Sequence, residues 1–294
     1  GDPSRRMSVI GVTGTNGKSS SVLALQHVFQ ACGYKAASFG TLGYDIAGEV
    51  LPAPHTTPFA EDLAALFKRA ADAGVAYAAM EASSHALEQE RVAGIDFDVA
   101  SFRNLTQDHL DYHNDMDAYR NAKLRLFERI EGPGRFTVVN RDDPSAEAFI
   151  RASRVPCHTY GAKADCRATG VSVSVGRTRF TVQTPWGSAP IEMRLLGRHN
   201  VSNILGVIAV ACGLGLSFET VAEAINGMPC VPGRFEHVDA DQNFQVIVDY
   251  AHTEDGLRNV LRAAREICKG RIITVFGCGG DRDKTKRPKM AMAV

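Results

Sequence analysis

MSVIGVTGTNGKSSS, residues 7–21, is the stretch that decides the fold of this 294-residue chain. An apolar run meets a glycine-rich turn carrying Gly14, Gly17, Lys18 and Ser19, and Val22, Leu25, Phe29 and Cys32 then recur at helical spacing. The order is strand, phosphate loop, helix. Backbone N–H groups of such a turn and the positive end of the following helix can hold phosphates, with Lys18 on the β/γ oxygens and Ser19 on a Mg²⁺. The spacing departs from the full G-x-x-x-x-G-K pattern, which would place glycine at Val12. A tight strand-to-helix turn that needs glycine only for its backbone is the competing reading.

The whole chain sets the bounds. Its length favours two domains over one core. Lys+Arg and Asp+Glu are both 33, so no net field favours nucleic acid or a membrane surface, and an anionic ligand must be captured by local geometry. The seven cysteines include no C-x-x-C pair, which suits a reducing, cytoplasmic setting better than a disulfide framework or a structural zinc. No apolar run approaches the ~20 residues of a spanning helix, and no signal peptide is visible. Because the chain enters its first strand after six residues and stops in a basic stretch, it reads as part of a longer one.

Outward from the phosphate loop, Ala36 to Leu42 reads as a short strand and Tyr44 to Pro54 as a loop. His55-Thr56-Thr57-Pro58 then opens a helix with Thr57 as N-cap, Pro58 at the first helical position and Leu63, Leu66, Phe67 and Ala70 as its apolar stripe, ending at Gly74. Val75 to Met80 fits a buried parallel strand ending on Glu81, followed by Ala82-Ser83-Ser84-His85. An acid at the C-terminal end of a strand beside a phosphate loop is placed to hold a metal; on its own it would more often be a solvated or capping residue. Val99 to Leu105 repeats the pattern and leads into Thr106-Gln107-Asp108-His109-Leu110-Asp111-Tyr112-His113, a candidate metal or proton-transfer cluster whose carboxylates favour Mg²⁺ over zinc. Met116 to Arg129 is helical, and by pattern alone Lys123 within it is an ordinary surface lysine.

Further on, Phe136 to Asn140 and Val155 to Tyr160 read as strands. The texture then changes to period-two alternation, with Val171, Val173 and Val175, then Phe180 and Val182, then Ile191, Met193 and Leu195, which predicts an antiparallel appendage with one buried face. Gly197-Arg198-His199-Asn200 introduces a very apolar helix, Val201 to Leu214. Asn200 is a good N-cap there, whereas Asn203 inside the helix suggests a side-chain contact to a ligand base. Phe218 to Asn226 is another helix, and Pro229–Gly233 is the strongest linker signal. Beyond it Val246 to Tyr250, a helix Asp255 to Cys268 and a strand Arg271 to Phe276 start a second α/β unit closed by Gly277-Cys278-Gly279-Gly280-Asp281-Arg282-Asp283.

Taken together these motifs resemble the Mur ligase family, and within it the branch that adds the third amino acid to the peptidoglycan precursor UDP-N-acetylmuramoyl-dipeptide. The resemblance is carried by Gly14-Thr15-Asn16-Gly17-Lys18-Ser19, Thr56-Thr57-Pro58, Glu81-Ala82-Ser83-Ser84-His85-Ala86-Leu87, Asn104 to His113, Gly197 to Asn203, Gly233-Arg234-Phe235-Glu236, Asp249-Tyr250-Ala251-His252-Thr253 and Phe276 to Asp283, in family order along nearly the whole chain. Folylpolyglutamate synthetases, which are related, typically carry a further glycine where Ser19 stands. The resemblance implies an α/β fold: a central phosphate-loop domain, residues 1–231, with a mainly parallel sheet and a small antiparallel appendage, then the beginning of a Rossmann-like domain, residues 232–294. The family's N-terminal domain and most of its C-terminal domain are absent from this sequence, and Glu254 stands where the family usually has proline, a change a helix N-terminus tolerates.

The family's roles then imply ATP and two Mg²⁺ ions. Lys18 would neutralise the γ-phosphate within a loop of Gly14, Thr15, Asn16, Gly17, Ser19 and Ser20. Ser19 and Glu81 would hold one Mg²⁺, and His109 with Lys123 a second, Lys123 only if carbamylated. Asn203, Arg234, Asp249 and His252 match positions around the nucleotide. Thr56, Thr57, Ser83, Gln89 and Arg91 match positions on the muramoyl-dipeptide. The implied reaction is ATP-dependent amide ligation through an acyl phosphate, joining a free amino acid such as diaminopimelate or lysine to the UDP-MurNAc-dipeptide in a cytoplasmic monomer, with no nucleic-acid or membrane partner. The alternative is a nucleotide-binding relative that has lost catalysis and acts through partners. Because substrate sites of this kind lie between domains, these 294 residues alone are not expected to turn over.

Overall fold

The computed structural model describes residues 2–174, 176–238, 240–279 and 283–294. After a 3-10 turn at Pro3–Arg6 the order is β1 (Ser8–Thr13), α1 (Lys18–Ala31), β2 (Ala36–Gly40), β3 (Gly43–Ile46), β4 (Glu49–Leu51), α2 (Ala60–Asp72), β5 (Tyr77–Glu81), α3 (Ser84–Glu88) and β6 (Val99–Phe102). Then come α4 (Leu110–His113), α5 (Met116–Glu128), β7 (Phe136–Asn140), α6 (Ala146–Ala152), β8 (Cys157–Tyr160), β9 (Arg167–Ser174), β10 (Arg177–Thr184), β11 (Gly187–Met193) and α7 (Arg198–Gly213). The chain continues with α8 (Phe218–Asn226), β12 (Glu236–Val238), β13 (Val246–Val248), α9 (Glu254–Ile267) and α10 (Lys286–Ala293).

The main sheet runs β4-β3-β2-β5-β1-β6-β7-β8, parallel from β2 to β8. β1 lies inside it, with Val12 opposite both Glu81 of β5 and Ser101 of β6. Residues of β1, β2, β5, β6 and β7 are buried on both faces, which is why these strands read as unbroken apolar runs rather than alternations. Ile10 and Val12 face one core, built with α1, α7, α8 and the inner side of the appendage. Val9, Met80, Phe102 and the stacked pair Phe102–Phe149, 3.7 Å between centroids, belong to a second core under α2, α5 and α6. Gly11 has no room for more: a Cβ there would lie 2.9 Å from Leu126 Cδ1.

The expected antiparallel appendage is the sheet β11-β10-β9, in which Thr178, Phe180 and Val182 are buried and their neighbours are not. Val175, which belongs to the predicted alternation, lies outside the described residues, as do Gly280, Asp281 and Arg282 of the closing glycine-rich motif.

Four local expectations are corrected. Most of the stretch read as a loop at 44–54 is a β-hairpin, β3–β4, ending at Leu51: Ala47 and Gly48 both take positive φ, as a two-residue turn with right-handed strand twist requires, and Asp45 accepts from Gly48 N at 2.7 Å. Thr57 does not cap α2. Its hydroxyl donates to the Glu81 carbonyl at 2.7 Å, which ties the segment to the sheet edge and delays the helix to Ala60, where Glu61 and Asp62 favour the positive helix end. Asn200 sits inside α7, which already begins at Arg198 after Gly197, and its amide donates to the Leu196 carbonyl at 2.9 Å. Residues 271–276 form no strand: β12 and β13 pair only with each other, antiparallel, and Ile273 and Val275 are 72% and 94% exposed.

All seven cysteines are free thiols. Burial pushes the thiols of Cys166 and Cys212 up to about 12, so neither ionises near neutral pH, whereas Cys230 is exposed. At pH 8 a thiol-specific reagent should therefore modify Cys230 in the native chain and reach Cys166 and Cys212 only after denaturant is added. Peptide mapping of the labelled chain checks this, and native labelling of Cys166 would contradict the packing described.

Candidate functional site

The C-terminal ends of β5, β1 and β6 open side by side onto one edge of the sheet, where ligands of open parallel sheets collect. The loop after β1 is the floor of the site. Gly17 precedes α1 with φ +85°, and a Cβ there would fall 2.3 Å from Asn203 Oδ1, so both backbone and space demand glycine. The loop is clamped from β6: Thr15 N donates to the Asn104 carbonyl at 2.9 Å, Asn16 N to Asn104 Oδ1 at 2.8 Å, and Asn104 Nδ2 returns to the Asn16 carbonyl at 3.1 Å. Thr15 Oγ1 adds contacts to the Thr106 carbonyl and to the Tyr119 hydroxyl, both 3.1 Å. Lys18 folds back over this floor, Nζ donating to the carbonyls of Gly14 and Thr15 at 2.9 Å. Burial lowers its pKa, partly offset by Glu81 and Asp108.

Above the floor is a cavity of about 530 Å³, lined by Thr15, Asn16, Gly17, Lys18, Ser19 and Ser20 together with Thr41, Thr56, Glu81, Ser83, Asp108, His109, Asn203, Arg234, Asp249 and His252, among others. Sequence-predicted residues from seven separate segments thus meet in one place. Glu81, 2% exposed, accepts from Thr41 N at 2.8 Å through Oε1. Arg234 Nη2 donates to Ser19 Oγ at 3.0 Å, and its guanidinium lies over the Tyr250 ring at 4.7 Å. Asp249 braces the adjoining turn, accepting from Phe235 N and Ala251 N at 2.7 Å.

His109 stands in the left-handed region at φ +55°, and burial, only partly offset by Asp108, pushes its imidazole down to about 3, so it is a neutral ring with one nitrogen lone pair to offer. Asp108 is gripped from the other side by Lys286 at 3.3 Å and His252 at 3.5 Å. Burial opposes its charge, but His252, His109 and Lys286 outweigh that and hold the carboxyl well below the usual range. His113, grouped with these by spacing, is turned away: its Nε2 meets Ser84 Oγ at 2.9 Å in the interior.

Lys123 overturns the pattern-based expectation of a surface lysine. It is 1% exposed, with Nζ 3.0 Å from the Gly14 carbonyl and 4.4 Å from the Tyr119 ring centroid, and burial together with Lys18 lowers its pKa well below the ordinary value. Its place on the buried stripe of α5, one turn after Tyr119, was readable in the periodicity. Gln89 and Arg91 do not line the cavity; they form a ledge beside it, where Arg91 Nε donates to Gln89 Oε1 at 2.8 Å and Nη1 to the Thr57 carbonyl at 3.2 Å. Asn203 differs from its expected posture: Oδ1 accepts from Arg103 Nη2 at 2.8 Å and Nδ2 donates to Asn200 Oδ1 at 3.0 Å.

The donor set suits a nucleotide with a divalent cation. Among the described residues no three His, Cys, Asp or Glu converge as a metal cage. A Mg²⁺ held by one or two protein oxygens, with phosphates and water completing the shell, needs none.

Compared with known proteins, residues 12–211 match the Mur ligase middle domain and residues 233–294 the Mur ligase glutamate ligase domain. This chain belongs to the Mur ligase family. Among its relatives are the Mur ligases named UDP-N-acetylmuramoyl-L-alanyl-D-glutamate–2,6-diaminopimelate ligase of Geobacter sulfurreducens, 45% identical over 99% of this chain and 58% of that protein, and of Geobacillus thermodenitrificans, 46% identical over 100% and 61%. A solved structure of a Mur ligase of the same name has 33% identity and a TM-score of 0.77 over 98% of this chain and 59% of its own. Folylpolyglutamate synthase of Mycobacterium tuberculosis shares the fold at 19% identity, with a TM-score of 0.74 over 90% of this chain and 67% of its own. The chain spans about three-fifths of the length of the Mur ligases it matches.

Asn104 and Arg103 were missed as site residues by sequence reading, although Asn104 opens the Asn104–His113 motif and both follow an inner strand at the ligand edge. Replacing Asn104 by Ala removes two hydrogen bonds to the loop, each worth ~1 kcal/mol. Nucleotide affinity of Asn104→Ala, measured by calorimetry, should fall by roughly tenfold or more, since ~1.4 kcal/mol is a factor of ten.

Proposed function

We propose that this chain is the ATP-binding part of a ligase that joins diaminopimelate or lysine to UDP-MurNAc-L-Ala-D-Glu in peptidoglycan synthesis. The observation that carries the reading is the convergence of Lys18, Ser19, Glu81 and His109 on one cavity in a chain 45–46% identical, over 99–100% of its own length, to proteins named as diaminopimelate ligases. Residues 1–231 are read as the middle domain and residues 232–294 as the start of the C-terminal domain, in a cytoplasmic monomer that uses neither nucleic acid nor membrane. No helix among the described residues is long and apolar enough to cross a membrane.

In this reading the backbone N–H groups of Gly17 to Ser20, at the positive end of α1, receive the β- and γ-phosphates, the loop before them being held by Asn104, and Lys18 leaves its two carbonyls to meet the γ-phosphate. Asn203, Arg234, Asp249 and His252 surround the rest of the nucleotide. Ser19 and Glu81 would hold one Mg²⁺ and His109 with Lys123 a second; bound there, the ions would neutralise charge on the transferring group. Thr56 and Ser83, with Gln89 and Arg91 on the ledge, orient the dipeptide, while Thr57, buried and held by the Glu81 carbonyl outside the cavity lining, fixes the segment that carries Thr56. Its terminal carboxylate oxygen bonds to the γ-phosphorus as the bond to ADP breaks, giving an acyl phosphate and ADP. The amino acid's amine then bonds to the acyl carbon, inorganic phosphate leaves, and the amine loses a proton.

Lys123 fits this scheme as a carbamate. Its buried amine carries a depressed pKa, and the neutral amine is the form that bonds to CO₂, releasing a proton and leaving a carboxylate-like ligand. With ¹³C-labelled bicarbonate, a carbamate resonance should appear and should vanish in Lys123→Arg; its absence in the unsubstituted chain would remove the second cation site as drawn.

The reaction is tested in a chain extended to the length of the relatives, by following ADP formation that depends on both UDP-MurNAc-dipeptide and amino acid. Lys18→Met and Glu81→Gln should each lower kcat by at least ~10²-fold, the scale on which a preorganised charge-stabilising group acts. Unchanged turnover in Lys18→Met would defeat the assignment.

A further inference from the structure

Among the described residues Arg103 is the largest fully buried side chain, 1% exposed, directly beneath the phosphate loop. Its Cβ lies 2.7 Å from where a Gly14 Cβ would be. The guanidinium passes under α7 into space that exists because residue 206 is glycine: a Cβ there would fall 2.0 Å from Nη1. Nη2 donates to the Ser202 carbonyl at 2.9 Å and to Asn203 Oδ1 at 2.8 Å, and both residues line the nucleotide cavity. Nε and Nη1 have no hydrogen-bond partner, and the remaining neighbour of the group is the Tyr160 ring, 4.8 Å away. Among the described residues no carboxylate pairs with it. Burial lowers its pKa, yet a guanidinium remains protonated at neutral pH.

A buried cation with no anionic partner is costly, and proteins ordinarily satisfy one with a carboxylate. Here no anion among the described residues partners the group, and its one bonded nitrogen, Nη2, holds Ser202 and Asn203 of the cavity wall. We infer that Arg103 is a positioning residue whose counter-charge is the polyphosphate of the nucleotide: it fixes the Asn203 amide against Gly17 and supplies positive potential to the loop from behind, without touching the ligand. The inference rests on the nucleotide reading of the cavity. It separates two roles that hydrogen bonds alone would merge, because a charge acting through a low-dielectric interior should favour ligands in proportion to their phosphate charge, whereas a pinned Asn203 should affect all adenine ligands alike.

The test measures affinities of the full chain for ATP, ADP and adenosine by displacement of a fluorescent ATP analogue. Two variants are compared with the unsubstituted chain: Arg103→Gln, which keeps a donor but no charge, and Arg103→Lys, which keeps charge but not the fork. Arg103→Gln should weaken ATP binding by roughly tenfold, ADP by less, and adenosine by under about twofold, whereas Arg103→Lys should stay within about threefold of the original for ATP. Equal losses for ATP and adenosine, or no loss for ATP, would overturn the proposal. So would an Arg103→Gln chain that is unfolded without ligand, since the guanidinium would then be a structural pin. If the unsubstituted chain binds no ATP, the nucleotide reading falls and takes this inference with it; if it binds ATP and Arg103→Gln binds equally well, only the inference falls.

Discussion

The reciprocal amide pairing of Asn16 with Asn104 is the constraint on which the site depends. It joins the loops that leave two adjacent parallel strands, so the register of β1 against β6 becomes the height of the phosphate loop above the sheet edge. The same strand pairs with β5 on its other side, where Val12 opposite Glu81 sets the acid beside that loop. A one-residue slip in either ladder would turn the alternating side chains over and scatter Lys18, Ser19 and Glu81. The two apolar cores above and below the sheet hold that register, which links core packing directly to the geometry of the cavity.

Electrostatically the chain is balanced overall, 33 basic against 33 acidic residues, but the site is locally sorted. Lys18, Lys123, Arg103 and Arg234 gather around the phosphate loop, while Asp108 is already engaged by Lys286 and His252 from the segment after β13. Asn16 reaches Asp255 of α9 at 2.9 Å, and Gln107 meets Thr285 at 3.2 Å and also Lys289. The later part of the chain therefore contributes walls to the cavity through polar contacts, with a small apolar cluster around Leu196, Phe235 and Ala263 beneath them. Polar interfaces of this kind are the sort that open and close more readily than cores do.

Much of this was legible in sequence, because inner parallel strands leave uninterrupted apolar runs and each ends at the ligand edge. The runs leading into Gly14, ending on Glu81 and spanning Val99 to Leu105, with the loops that follow them, share one edge on pattern alone; the third strand in fact stops at Phe102. What escaped reading has physical reasons. Ala47-Gly48 makes a hairpin turn through a left-handed alanine, which carries little turn signal. Thr57 looked like a cap because its alternative partner, the Glu81 carbonyl, is 24 positions away in sequence. Residues 271–276 have the composition of a strand, but extended backbone becomes one only beside a strand to pair with. Lys123 and Arg103 were obscured by a sound general rule, that long cations are solvated; here both are packed under the phosphate loop, Lys123 against the Gly14 carbonyl and Arg103 against Ser202 and Asn203.

The glycine at position 206 has a consequence that reaches beyond this molecule. Since the guanidinium of Arg103 fills the room its missing side chain leaves, the two positions form a lock in which either change alone is penalised: a methyl at 206 collides with the arginine, and a small residue at 103 leaves a void under α7. Drift at one site must wait for drift at the other, so evolutionary paths through this region run by paired replacement, and either order of steps crosses a less fit intermediate.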